Sequence, residues 1–361
     1  MTETSAAPRA LPTMLEPLPF PIFFVYPEHS RWADAFEGRT PEPDAEPWRF
    51  RDCNDCWIML SELRLLRRGL DVRLVARPEP GAINVMDTTD LKIRRPSYSS
   101  YMVLCRHDSA RPVLGEQAIV QNPLNVLSAT EHLVQHWPQP GLLPRLTSRD
   151  ARVENVTFKG FEMNLWGPFH EPGFRRSLGR LGVTFHISGK PSDERFLRWH
   201  DYRDDDVVLA VRDLTEADLG IKPASKLINA WHAGTPALLG PEPAYRALRR
   251  SELDYIEVRS PNEVIRAVEL LKRNPELYRT MVENGRARGR EFTNDAIAAR
   301  WREIVAGPVA RGFDRWRRAP AIRRPCRPAL FAVRAIAHAI EVRRHHHSRD
   351  HGFRPLSGQY T

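Results

Sequence analysis

The stretch "KPASKLINAWHAGTPALLG", Lys222–Gly240, reads as a helix running into a buried strand. Pro223 suits a first helical turn, where its missing N–H has no partner to lose. Ala224, Leu227, Ile228 and Trp231 follow the i, i+3, i+4, i+7 spacing of one apolar face. Lys222, Ser225, Lys226 and Asn229 fall on the other side. Gly234 supplies the helix stop, "TPALLG" returns the chain to a sheet, and Gly240-Pro241-Glu242 turns at its carboxyl end. The free N–H groups at a helix start carry partial positive charge. Two lysines and a hydroxyl gathered there make an anion site suited to phosphate.

The same alternation extends in both directions. "VENVTFKG", "VTFHISG", "DDVVLAVRD" and "DYIEVRS" read as strands, separated by the helices "EPGFRRSLGRLG" and "AYRALRRS". Three capped helices follow, starting at Ser260-Pro261-x-Glu263, Asn274-Pro275 and Thr293-Asn294-Asp295. Upstream, "PIFFVYP", "DVRLVA", "AINVMD", "YMVLCRHD" and "QAIVQNP" are strand candidates. One helix lies among them, with Asp55 as its expected cap, an apolar face of Ile58, Leu60, Leu63, Leu65 and Leu66, and Gly69 as its stop. A Pro-rich stretch, His136–Asp150, reads as a linker. The expected organisation is a disordered N-terminus over 1–18, an α/β domain over 19–148, a second over 149–306, and a helical basic tail over 307–361. Ligands of open α/β sheets sit outside the carboxyl ends of the strands, so two such domains in series place a site in the cleft between them.

The helix–strand unit resembles the donor-binding region of GT-B glycosyltransferases, whose C-terminal domains carry a KPxxKLxxAxxxGxP type segment. The resemblance runs from about Asp206 to Ile304 and is architectural over 20–205. It implies two Rossmann-like domains facing a cleft, a nucleotide-diphosphate-sugar held mainly by the second, and final helices that cross back to the first. It also implies hexosyl transfer to an acceptor hydroxyl, as in cell-surface glycan or polysaccharide synthesis, with no metal or cofactor and the nucleotide-sugar as co-substrate. Retaining members often place two Glu eight positions apart across this helix. Here those positions hold Ile221 and Asn229. Asn229 can hydrogen-bond a ribose hydroxyl, since an amide both donates and accepts; Ile221 cannot replace a carboxylate.

Under this resemblance the donor phosphates call for cations. Lys222 and Lys226 fit, with Lys159 at the end of "VTFKG" and Arg212 at the end of "VVLAVRD" as further candidates. Ser225, Asn229 and Glu242 complete the expected donor site. An inverting transfer needs a base. His107 and Asp108, after "YMVLC", and His29, after the first strand, are the candidates. A domain that binds a nucleotide-sugar or glycan without turnover, and another GT-B reaction such as nucleotide-sugar epimerisation, are the alternatives.

Net charge is +9, and all of it lies in the 51 residues from Arg311 onward, with 12 Arg against three acids. The basic tail therefore calls for an acidic partner, while the neutral body and the lack of an aromatic–basic motif argue against nucleic acid. "RPALFAVRAIAHAIEVRR" (Arg327–Arg344) reads either as an interfacial helix on an anionic membrane or as a helix docked on the first domain with a disordered basic end. Cys53 and Cys56 form one CxxC without a second pair, too little for a zinc site. Few cysteines, no signal-like N-terminus and no spanning run point to a cytoplasmic protein, with the tail offering peripheral contact at the inner face of the membrane.

Overall fold

Alternating apolar runs build two parallel sheets. The computed structural model describes residues 12–39, 41–50, 55–91, 98–189, 198–319 and 325–356. The first sheet uses β1 (Ile22–Val25), β2 (Val72–Val75), β3 (Ile83–Asp87), β4 (Tyr101–Arg106), β5 (Gln117–Val120) and β6 (Glu131–Leu133), in the order β2-β1-β3-β4-β5-β6. The single turn α1 (Ala33–Phe36) and the helix α2 (Leu60–Leu66) lie between β1 and β2. Strands β3, β4 and β5 are buried throughout, which their near-continuous apolar sequences dictate for a sheet covered on both faces.

The second sheet has β7 (Asn155–Phe161), β8 (Thr184–Gly189), β9 (Val207–Ala210), β10 (Ala237–Leu239) and β11 (Ile256–Glu257), in the order β11-β10-β9-β7-β8. Its helices are α3 (Pro172–Arg180), the short α4 (Glu216–Leu219), α5 (Ser225–Ala233), α6 (Pro243–Leu248), α7 (Pro261–Arg273) and α8 (Pro275–Gly289). Then come α9 (Asn294–Ile304), α10 (Ala310–Arg317) and the long α11 (Arg327–His351). All three expected caps form: Ser260 accepts from the Glu263 N–H, Asn274 from Leu277 and Thr293 from Ala296. The molecule is α/β, with two parallel sheets in series along the chain and helices packed on them.

The chain crosses back at α9. Trp301 packs between Phe24 and Trp57 of the first domain, and Arg68 pairs with Asp295 at 2.5 Å. Gln117 then donates to the Pro308 carbonyl at 3.0 Å, and Phe313 meets Tyr101 edge-on. Among the described residues no α-helix lies between β2 and β6. The sheet face left bare by those loops carries Met86, Met102 and Leu104, with Leu114 of the β4–β5 connection beside them, and the Phe331 and Ala335 side of α11 covers it.

Several expectations change. Residues 1–11 lie outside the described residues, but 12–18, expected to be disordered, are tied down: the Leu15 N–H donates to the Arg68 carbonyl, and Leu15 and Leu18 pack on the core. Asp55 does not cap the helix. It is fully buried, accepting from Tyr26 and Trp32 at 2.8 Å each and pairing with Arg31, where a π-helical turn (Asp55–Met59) precedes α2. The strand β6, short and rich in polar residues, carries no alternation from which to expect it. The basic end of α11 is not loose either: Arg349 reaches Asp218 at 3.1 Å, and Leu356 is buried in the second domain. Cys53 lies outside the described residues, while Cys56 is buried, with its thiol donating to the Phe50 carbonyl at 2.8 Å.

Candidate functional site

The start of α5 faces the first domain at the carboxyl ends of β7 and β9. The Ala224 N-cap has no side-chain bond to offer the first helical N–H groups. Ser225 and Lys226 are partly buried there. A Cβ placed on Gly160, near the end of β7, would lie 3.7 Å from Lys226 Nζ, so the ammonium rests against bare backbone. Among the described residues no carboxylate forms an ion pair with Lys226. Burial first, and the charge of Arg212 next, push its pKa down to about 7. Glu242 and Asp108 act on it only from a distance. A lysine at the positive end of a helix with no carboxylate in direct contact has the electrostatics of an anion site.

The other donor-side candidates take different places. Arg212 forms a two-pronged pair with Glu242 across the ends of β9 and β10. Burial works against its charge, but Glu242 outweighs it and raises the guanidinium pKa. The two residues expected to meet a donor separately are therefore engaged with each other. Lys159 is not brought to Lys226. It is buried over the Tyr202 ring, pairs with Asp205 at 2.5 Å and donates to the Asp201 carbonyl. Asn229 is buried too, and its Oδ1 accepts the Gln139 N–H at 3.0 Å, so it anchors the linker. Ile221 is buried.

On the first-domain side, Asp108 pairs with Lys222 across the cleft. His107 lies one residue deeper, buried, with Nδ1 on the Asp87 carboxylate. The register explains this contact. Asp87 pairs with Cys105, and His107, two residues on, points to the same face. Burial pushes the Asp87 carboxyl up, but His107 and the Thr89 hydroxyl and N–H outweigh it and hold it below the usual carboxylate range. Trp57 and His136 pack beside His107 at ring distances of 5.3 and 6.3 Å. Burial and the nearby His107 push His136 down to about 3, so it stays neutral. His107 Nε2 is buried and has no hydrogen-bond partner among the described residues. An imidazole oriented by a carboxylate, with its second nitrogen unengaged, is equipped to take a proton. The His29 side chain lies outside the described residues.

Sequence reasoning missed Asp87 and Gly160. Asp87 ends "AINVMD" and His107 follows "YMVLC", so both sit at strand carboxyl ends, but adjacency of the two strands is a topological fact.

Residues 156–304 match the family model described as glycosyl transferase-like. No curated protein matches the chain significantly in sequence. Similar solved structures include AviGT4, a glycosyltransferase involved in avilamycin A biosynthesis, at 16% identity over 84% of this chain and 99% of that one, with a TM-score of 0.48. HepE from Anabaena, in complex with UDP, aligns at 12% identity over 79% and 99%, with a TM-score of 0.41. TarM aligns at 9% identity over 64% of this chain and 54% of its own, with a TM-score of 0.46, so the chain spans about half of TarM. The matched segment starts in β7, ends with α9 and contains Lys226, Lys222 and Arg212, so the likeness to the glycosyl transferase-like family falls on the second domain of this chain.

Proposed function

We propose that this protein is a glycosyltransferase that moves a sugar from a nucleotide-diphosphate-sugar to an acceptor hydroxyl. One observation carries the reading: Lys226 stands at the start of α5, against Gly160, with no carboxylate paired to it among the described residues. A donor diphosphate supplies the missing negative charge. In the reaction the acceptor oxygen attacks the anomeric carbon and His107 Nε2 takes its proton. The bond to the diphosphate breaks, and the departing electron pair and charge rest on Lys226, the α5 start and Lys222. Asp87 holds the imidazole in place and stabilises its charged form. Asp108, bound to Lys222, tethers the two domains instead of acting as the base.

Calorimetry with UDP, GDP and TDP and their sugars, followed by a donor-turnover assay, tests this. Tight binding of one nucleotide, lost in Lys226→Ala, is expected. A folded protein that binds none of them removes the transferase reading. A second reading, a nucleotide-sugar or glycan binding protein without turnover, draws on the buried Ile221 and the occupied Asn229 amide. Binding without turnover across an acceptor panel would favour it.

The acceptor side of the proposal extends to a cell-surface glycan or lipid-linked saccharide made at the inner face of the membrane by a cytoplasmic protein. Among the described residues no helix is long and apolar enough to cross a membrane. With one side of α11 docked, Val333, Ile336 and Ile340 stand exposed on the outer side, and Arg343 and Arg344 follow a turn later. An apolar strip backed by arginines suits an anionic bilayer surface. Sedimentation with phosphatidylglycerol-containing vesicles should pull the protein down at low salt, and Val333→Ser/Ile336→Ser/Ile340→Ser should release it.

A further inference from the structure

The segment that leads into α5 belongs to the second domain; the N–H groups of its last three residues are satisfied within its own turns, but their carbonyls are held by groups from outside it. Three consecutive carbonyls, those of Gly220, Ile221 and Lys222, accept side-chain amide N–H groups from Asn125, Gln121 and Asn122 at 3.0, 3.1 and 3.0 Å. All three carboxamides are buried and stand in the loop after β5 of the first domain. The tail adds more. Arg349 pairs with Asp218, the Phe353 carbonyl accepts the Glu216 N–H at 2.9 Å, and Arg354 donates to the Asp213 carbonyl at 2.8 Å.

We infer that Gln121, Asn122 and Asn125 are positioning residues for the donor site: they set the path of residues 220–222, and through it the placement of Lys222 and of the α5 start. The inference rests on the donor-site reading above and adds what assembles the site. Lys222 reaches the site from a backbone whose carbonyl Asn122 holds. Pro223 follows directly, and its ring restricts the Lys222 backbone and transmits that placement to Ser225 and Lys226. If the domains part, three carbonyls lose their partners together and Lys222 loses Asp108. Donor binding and interdomain contact are then coupled, and coupling is reciprocal: what the clamp adds to nucleotide affinity, the nucleotide returns to the clamp.

A neutral pair of substitutions, Gln121→Met/Asn125→Ala, removes two of the three bonds without adding charge near the phosphate site. Asn122 is left in place because its Oδ1 also accepts the Leu124 N–H and caps the turn at Pro123. Binding of UDP, GDP and TDP is measured by calorimetry on the full chain, with thermal unfolding as the folding control. Amide exchange of segment 213–222 is followed with and without the nucleotide that binds. The expected result is wild-type binding of one nucleotide, about tenfold weaker in the variant at an unchanged unfolding temperature. The nucleotide should slow exchange in 213–222 in the wild type only. If the double variant unfolds early, Asn125→Ala alone is read the same way. Equal affinity and equal protection in wild type and variant overturn the clamp and leave the donor site standing. A wild type that binds none of the three overturns both.

Discussion

Burial and the guanidinium of Arg212 bring the Lys226 ammonium down to about 7, and a bound diphosphate would raise it again. Above pH 7 the free protein holds Lys226 increasingly neutral, while the complex keeps it charged. Binding must then take up a proton. Nucleotide affinity should be flat below pH 7 and fall by up to about tenfold per pH unit above it, until the raised pKa of the complex is reached. Calorimetry at pH 8 in two buffers of different ionisation enthalpy would show uptake approaching one proton, and Lys226→Met should abolish both the uptake and the slope. At the facing residue the expectation concerns rate. Asp87→Asn leaves His107 without its charged partner and should lower turnover by about 10²–10⁴-fold, with nucleotide affinity unchanged. Equal losses in affinity and rate would place Asp87 in the scaffold instead.

The helices carry a second kind of expectation, set by how closely they approach. Helices α5 and α8 pack through Gly285, where a Cβ would lie 2.9 Å from Cδ1 of the buried Trp231. Neither the indole nor the helix can yield easily, so Gly285→Ala should destabilise by about 1–3 kcal/mol and disturb the element that carries Lys226. Gly179, inside α3, has open space around its Cα. There the lost backbone freedom of the unfolded chain dominates, and Gly179→Ala should stabilise by about 0.5–1 kcal/mol. Paired chemical denaturation curves check the opposite signs. The same sequence letter thus acts in two ways, and the neighbour decides which.

Across the whole molecule, Asp206 joins linker and second sheet. It is fully buried and accepts from Arg145 and Arg149, each through two nitrogens, and from the Glu154 and Asn155 N–H groups at 2.8 and 2.9 Å. Burial pushes this carboxyl up, but the Arg149, Glu154 and Arg145 hydrogen bonds outweigh it and hold it below the usual carboxylate range. A depressed carboxyl contributes stability that is present above its unfolded value, near about 3.9, and is lost as pH falls through the folded value. Asp206→Ala should cost about 3–5 kcal/mol, because it strands a buried guanidinium, and should flatten the acid limb of the unfolding profile. Removal of α11 by ending the chain at residue 319 should expose Met86, Met102, Leu104 and Leu114. Increased dye binding and self-association would report it, and an unaltered monomer would show that the helix is dispensable to that face.

What the sequence by itself determined is local. The strand runs, the caps at Ser260, Asn274 and Thr293, the glycine stop at Gly234 and the cationic start of α5 follow from periodicity and from backbone chemistry within a few residues. Which charges meet was left to the tertiary structure. Lys159 and Arg212 look like Lys226 on paper, yet Asp205 and Glu242 pair with the first two, and only packing leaves Lys226 without an ion-pair partner among the described residues. His107 is one of several loop histidines until β3 settles beside β4 and brings Asp87 to it. The tail helix reads either as a membrane-surface helix or as one docked on the first domain, until a sheet face without helices of its own takes Phe331 and Ala335 of α11 as its cover. Pairings between distant segments depend on strand order and on which face is bare, and neither quantity is written in any short window of residues.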